Sequence, residues 1–274
     1  MGLEIATELA RRGARVLVAC PFPEEGASAR EHIVRSTGNH DVEFLHLDLA
    51  SLESTRRFAA NILTSEPRLD ILVNNAGIGG SFERTTPDGI NFVMQVNYFG
   101  KFLLTLLLLP LLKKSGKPGE PSRIVNTASV LHNLGVVDID NLSCKKINFF
   151  NLEYYNDSKF CVVLFTRELA KRLRGENVVV NSVNPGAVGT RIFDGWHGLF
   201  GRVVTWFFFC FFKTPWQGAQ TALHVALDES AGDVSGEYFE NCCQSRAISR
   251  AYNDKLANEV WEASLRIVKL DDFK

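Results

Sequence analysis

The chain has 274 residues, 46% of them hydrophobic and 22% charged, an ordinary globular composition long enough for one large α/β domain. A formal net charge of -1 removes the electrostatic basis for a nucleic-acid partner. The six cysteines (Cys20, Cys144, Cys161, Cys210, Cys242 and Cys243) form no CxxC pair and the histidines no HExxH, so neither a disulfide framework nor a metal site is expected.

In chain order, residues 3–12 read as a helix, with Ile5 and Leu9 one turn apart and Gly13 in the stop position. Buried parallel strands follow at 15–20 (RVLVAC), 42–49, 69–75, 122–128 and 177–185, separated by helical stretches near 51–64, 88–114 and 153–174. GKPGEPS at 116–122 is a loop, and no repeat or linker divides residues 1–274. Strand alternating with helix predicts a single domain with a doubly wound, Rossmann-like parallel sheet. Ligands bind such sheets beyond the carboxyl ends of the strands, where Asp48, Asn74, Asn75, Ser129 and the NPG at 184–186 fall.

Two apolar runs, 102–112 and 203–212, are each short of the roughly 20 residues that cross a bilayer. The first reads as a buried helix. The second is crowded with aromatics and lacks a helical period, which leaves a membrane-surface contact, a lid over an apolar pocket and plain core open.

Of the five tyrosines only Tyr155 has a lysine four residues on, Lys159, and that spacing puts both side chains on one helix face. A phenol titrates near pH ~10, and a neighbouring ammonium favours its phenolate, bringing it closer to use as a proton carrier. Ser129 follows a strand whose carboxyl edge should face the start of that helix. Asn97 sits in an apolar segment, where an unpartnered amide costs about 1–3 kcal/mol, so it bonds backbone or water or serves a site.

NNAG at 74–77, VN at 96–97, the serine after IVNTA, YNDSK at 155–159 and NPGAVGT at 184–190 resemble, in order and spacing, the short-chain dehydrogenase/reductases. DLASLESTRRFA, VLHNLG, SKFCVVLFTRELAKRL, FFKTPWQGAQT and SGEYF are similar to the retinol dehydrogenase branch, a likeness that runs from Gly2 to about residue 243. The resemblance implies that Tyr155 gives a proton in reduction and takes one in oxidation. It implies that Lys159 holds the nicotinamide ribose and lowers the tyrosine pKa, that Ser129 bonds the substrate oxygen, and that Asn97 supports a water relaying protons to Lys159. Asp48 would meet the adenine, Asn75, Ala76 and Gly77 the adenosine side, and Pro185, Gly186, Val188 and Thr190 the carboxamide. The hydride would come from the cofactor, and no metal is called for.

Family members begin with a strand and a Thr-Gly-x-x-x-Gly-x-Gly turn, of which Gly2 is the last glycine. The expectation is therefore an N-terminally truncated sheet, its first strand missing and two interior edges facing one another, with poor folding and weak cofactor binding. Pro21 stands where relatives carry an arginine for the extra phosphate of NADP, so NADP(H) is favoured by resemblance and NAD(H) stays open. Ala128 replaces a first serine. The expected partner is a small apolar substrate of retinoid type, shaped by a variable segment at 190–214, with a peripheral membrane contact through Trp206–Phe212. Steroid, isoprenoid or xenobiotic carbonyls, and a catalytically silent scaffold or binding protein, are the alternatives. The branch implies an intracellular, endoplasmic-reticulum membrane association; cytosolic or mitochondrial placement is the alternative, and oligomeric state is unreadable.

Overall fold

A computed structural model describes residues 1–79, 85–144, 151–188 and 213–270. Helix α1 (Gly2–Arg11) leads into β1 (Val16–Cys20), and α2 (Pro23–Thr37) and β2 (Val42–His46) follow. Next come α3 (Leu52–Ser65) and β3 (Ile71–Asn74), then α4 (Phe92–Met94), a π-turn at Gln95–Phe99 and α5 (Gly100–Ser115). Strand β4 (Ser122–Thr127), α6 (Asn151–Arg172) and β5 (Val178–Asn184) complete the parallel core. The C-terminal part holds α7 (Pro215–Leu227), α8 (Glu229–Gly232), β6 (Tyr238–Glu240), β7 (Cys243–Ser245) and α9 (Asp254–Ile267).

The expected architecture is present: parallel strands with helices on both faces. Val125, Val183, Phe239 and Ile71 pack with residues of α1 and α7 on one face. The other face carries the large core in which α3, α5, α6 and α9 meet. Helix α5 is apolar nearly all round because it is buried nearly all round. Residues 92–115 are long and apolar enough to cross a membrane, yet 83% of their most apolar window is buried inside the fold. The run at 102–112 is thus core, as the sequence predicts. In this core Tyr98, Phe102, Phe165 and Trp261 pack with ring centroids 5.0–6.4 Å apart, fixing α5 and α9 against α6.

The wholly parallel sheet of the sequence reading needs one addition. Strand β7 runs antiparallel to β6, across a two-residue turn in which Asn241 and Cys242 have φ of 51° and 60°.

The sheet is in two pieces, β1-β2 and β3-β4-β5-β6-β7. The Val16 amide donates to Asp41 O and Cys20 O accepts from Leu47, so the even-numbered residues of β1 face β2. Leu17 and Ala19 therefore aim their backbone groups the other way. On β3, Asp70 O accepts from Arg123, so Ile71 and Val73 face away from β4. On these sides β1 and β3 pair with no other described strand. Buried parallel strands ordinarily satisfy both edges. The amides of Leu17, Ala19, Ile71 and Val73 are therefore expected to exchange with solvent about 10³-fold faster than those of Val125 and Val180. Hydrogen exchange read by NMR checks this, and equal protection across both groups would contradict it.

Candidate active site

Tyr155 and Lys159 lie on the first turns of α6, both buried, at 8% and 2% exposure. The Lys159 ammonium donates to Thr127 O at the end of β4 (3.0 Å) and sits 5.4 Å from the centroid of the Tyr155 ring. Ser129, two residues beyond that strand, is near enough to the Tyr155 phenol for its side chain to draw the phenol pKa down. It also opens a 3₁₀ turn at Val130–Leu134, its Oγ accepting from the Leu131 amide at 3.2 Å.

Asn97 is fully buried within the π-turn. Its Oδ1 accepts from Ile78 N (2.8 Å), and its Nδ2 donates to Ile78 O (2.9 Å) and Ser158 Oγ (3.1 Å). The amide thus has the partners that its burial demands. π-turns place a side chain where a regular helix cannot, and they recur at functional sites. A β-carbon at Gly77 would lie 3.2 Å from Asn97 Oδ1 and 3.4 Å from Lys159 Nζ, so both side chains converge on the bare backbone there.

At Gly2 a β-carbon would come within 2.6 Å of Asn75 Nδ2. The Asn75 Oδ1 is buried with no hydrogen-bond partner among the described residues. Ala76 is exposed beside it. Asp48 closes its own loop, its carboxylate accepting from Ala50 N at 2.8 Å. Across the sheet, Asn184 Oδ1 accepts from Gly186 N (3.0 Å), Gly186 takes φ +79°, and Lys213 packs on it. Pro185 and Val188 flank that turn, both half-buried, and Val188 forms a bridge with Lys213. Thr190 and the Trp206–Phe212 run lie outside the described residues.

The family model for short chain dehydrogenase matches residues 1–197. The chain belongs to the short-chain dehydrogenase family. Human retinol dehydrogenase 11 is 42% identical over 270 residues, covering 98% of this chain and 83% of the relative. Human retinol dehydrogenase 13 is 40% identical, covering 99% and 82%. Dehydrogenase/reductase SDR family member 13 of Bos taurus is 41% identical, covering 98% and 71%. Among solved structures, an uncharacterised protein from Mycobacterium paratuberculosis superposes with a TM-score of 0.77 at 27% identity, covering 100% of this chain and 91% of that one. A short chain dehydrogenase from Escherichia coli CFT073, solved with NADPH, gives 0.66 at 27% identity, covering 88% and 91%. This short-chain dehydrogenase is an oxidoreductase of the retinol dehydrogenase-like branch, with a nicotinamide cofactor and a small-molecule substrate.

The electrostatics depart from one expectation. Burial pushes the Tyr155 phenol up, and the Ser129 side chain opposes it; the depression expected from Lys159 is not what dominates here. Burial likewise drives Lys159 down from 10.5 to about 8. Sequence reasoning missed three participants: Thr127, whose carbonyl takes the Lys159 proton donor; Ser158; and Lys101, a buried amine on α5. Burial and the Lys159 charge hold Lys101 well below the usual lysine range. Of these only Lys101 left a trace in the sequence, as a lysine inside an apolar run.

Proposed function

We propose that this short-chain dehydrogenase interconverts an apolar alcohol and its aldehyde or ketone, a retinoid-type substrate being favoured, with NADP(H) as the preferred cofactor. The observation that carries the reading is the meeting of Tyr155, Ser129, Lys159 and Asn97 at the carboxyl ends of β3 and β4. The residues suit a dinucleotide: bare backbone at Gly2 and Gly77, an orphaned buried acceptor at Asn75 and an ammonium at Lys159 with donors to spare. When bound, the cofactor supplies the hydride.

The chain's own groups do the rest. Ser129 Oγ donates to the substrate oxygen and orients it. Tyr155 Oη gives its proton to that oxygen in reduction, and burial keeps the phenol protonated until then. The Lys159 ammonium holds the ribose hydroxyls and stabilises the phenolate left behind. Asn97, pinned by its two bonds to Ile78, supports proton return toward Lys159. Asp48 meets the adenine, Asn75 to Gly77 the adenosine side, and Pro185, Gly186, Val188 and Thr190 the carboxamide. Residues 1–274 act as one domain, and its variable segment at 190–214, of which 190–212 lie outside the described residues, is assigned to contact with substrate and an endoplasmic-reticulum membrane.

NADP(H) is favoured by the relative solved with NADPH; Cys20 and Pro21, at the end of β1, offer no cation of their own to a ribose phosphate. A silent scaffold is the second reading, favoured by the open edges of β1 and β3 beside the dinucleotide position. Purified protein mixed with NADPH or NADH and a panel of all-trans-retinal, a steroid ketone and a small sugar separates these. With NADPH in large excess, to meet the weak cofactor binding expected beside the unpaired edges of β1 and β3, retinal-dependent consumption of NADPH in preference to NADH is expected. Cofactor binding without turnover of any carbonyl would favour the scaffold, and preference for the sugar would exclude an apolar pocket.

A further inference from the structure

His132 lies one turn past Ser129, is 1% exposed, and no part of the chemistry above uses it. Its Nδ1 is 2.6 Å from Ser129 O, and its Nε2 is 3.1 Å from the Ile248 amide nitrogen. A backbone carbonyl can only accept and a backbone amide can only donate. Nδ1 must therefore carry the proton and Nε2 must be bare, which fixes one neutral tautomer. The ring packs on Tyr238, with centroids 5.0 Å apart. Arg250 adds a second tie across the same junction, donating to Asn133 O at 3.1 Å.

We propose that His132 is a positioning residue for Ser129: its imidazole clamps the Ser129 carbonyl to the Ile248 backbone and so sets the angle at which the Ser129 hydroxyl meets Tyr155. The inference rests on the roles given above to Ser129 and Tyr155. Ser129 sits on a loop, its Oγ accepting from the Leu131 amide while its side chain draws down the pKa of the nearby phenol. Among the described residues, the Ser129 carbonyl is held by the His132 amide and by the His132 ring, both of which bond it. The segment that starts at Ile248 thus belongs to the support of the site, although it follows Ser129 by more than 100 residues. Burial pushes the imidazole pKa down, Glu240 and the Ser129 carbonyl oppose that and Arg250 reinforces it, so the ring stays neutral and the clamp closed at neutral pH.

Two substitutions divide the clamp. His132→Asn can put an amide nitrogen near the Nδ1 position and keep the bond to Ser129; His132→Gln can put an amide oxygen near Nε2 and keep only the bond to Ile248. His132→Gln is expected to lose about tenfold or more in kcat with the KM for NADPH unchanged, and His132→Asn to stay within about threefold of the wild type. Equal kcat in both variants, or losses that simply follow melting temperature, would overturn the proposal. Tyr155→Phe, run alongside, separates the two levels: an inactive Tyr155→Phe beside a fully active His132→Gln sinks the clamp alone, whereas an active Tyr155→Phe sinks the reading beneath it. A third readout needs no variant to fold. The ¹⁵N spectrum of the wild-type imidazole should show a neutral ring protonated on Nδ1 at pH 7, and an imidazolium or an Nε2–H tautomer would contradict the clamp.

Discussion

Tyr155→Phe is expected to lower kcat for carbonyl reduction by about 10²–10⁴-fold, the range that a positioned general acid supplies. The substitution deletes one oxygen from a ring that is 8% exposed and packed with Val93, Tyr154 and Leu131, so the fold should tolerate it. Ser129 Oγ keeps its bond from the Leu131 amide. Cofactor affinity should therefore change little while turnover collapses. Steady-state kinetics with NADPH titrated at saturating retinal makes the distinction. A variant with unchanged kcat would remove Tyr155 from the reaction.

Lys159→Met should act on the cofactor first, raising the KM for NADPH by about 10–100-fold, since hydrogen bonds to a charged group contribute roughly 1.5–3 kcal/mol. The wild-type protein should also lose cofactor affinity as pH rises through about 8, where burial has placed the Lys159 titration. The Met variant should show no such step. Lys101 is a second buried amine within electrostatic reach, and burial together with the Lys159 charge holds it well below the usual lysine range. Stability runs the opposite way. Between pH 8 and 10.5 the native protein has released this proton while the unfolded chain still binds it, so this lysine's contribution to stability rises with pH across that window. NADPH fluorescence titrations and urea unfolding at the two ends of the window check both signs, and affinity that is flat across pH 8 in the wild type would remove Lys159 from ribose binding.

The sheet was legible in the sequence because its strands are continuous apolar runs ending in polar residues. RVLVAC, LDILVNN and NVVVNSVNP need no tertiary information to be recognised. Helix α2 was not read, because PEEGASAREHIVRST buries only Gly26 and Ile33 and carries little apolar period. Strands β6 and β7 are three residues each, too short for any pattern to declare itself.

At the site, helix spacing put Tyr155 and Lys159 on one face and the family motif singled them out, while the cost of burying a bare amide required a partner for Asn97 without saying which. The π-turn that carries Asn97 did not, since the segment 88–114 reads as one helix. The direction of the Tyr155 shift also lay beyond the sequence: a neighbouring ammonium is visible in the spacing, whereas the desolvation that outweighs it depends on what α6 packs against. His132 was hidden for the same reason, because its second partner comes from Ile248.

The most direct test of hydride transfer assisted by Tyr155 is a labelled single turnover. Purified protein is given NADPH carrying deuterium at both positions of nicotinamide carbon 4, together with all-trans-retinal in ordinary water, and the alcohol is analysed by mass spectrometry. One deuterium on the carbinol carbon, formed by the wild type and not by Tyr155→Phe, is the expected result. An alcohol without deuterium on that carbon, or equal labelling by both proteins, would contradict it.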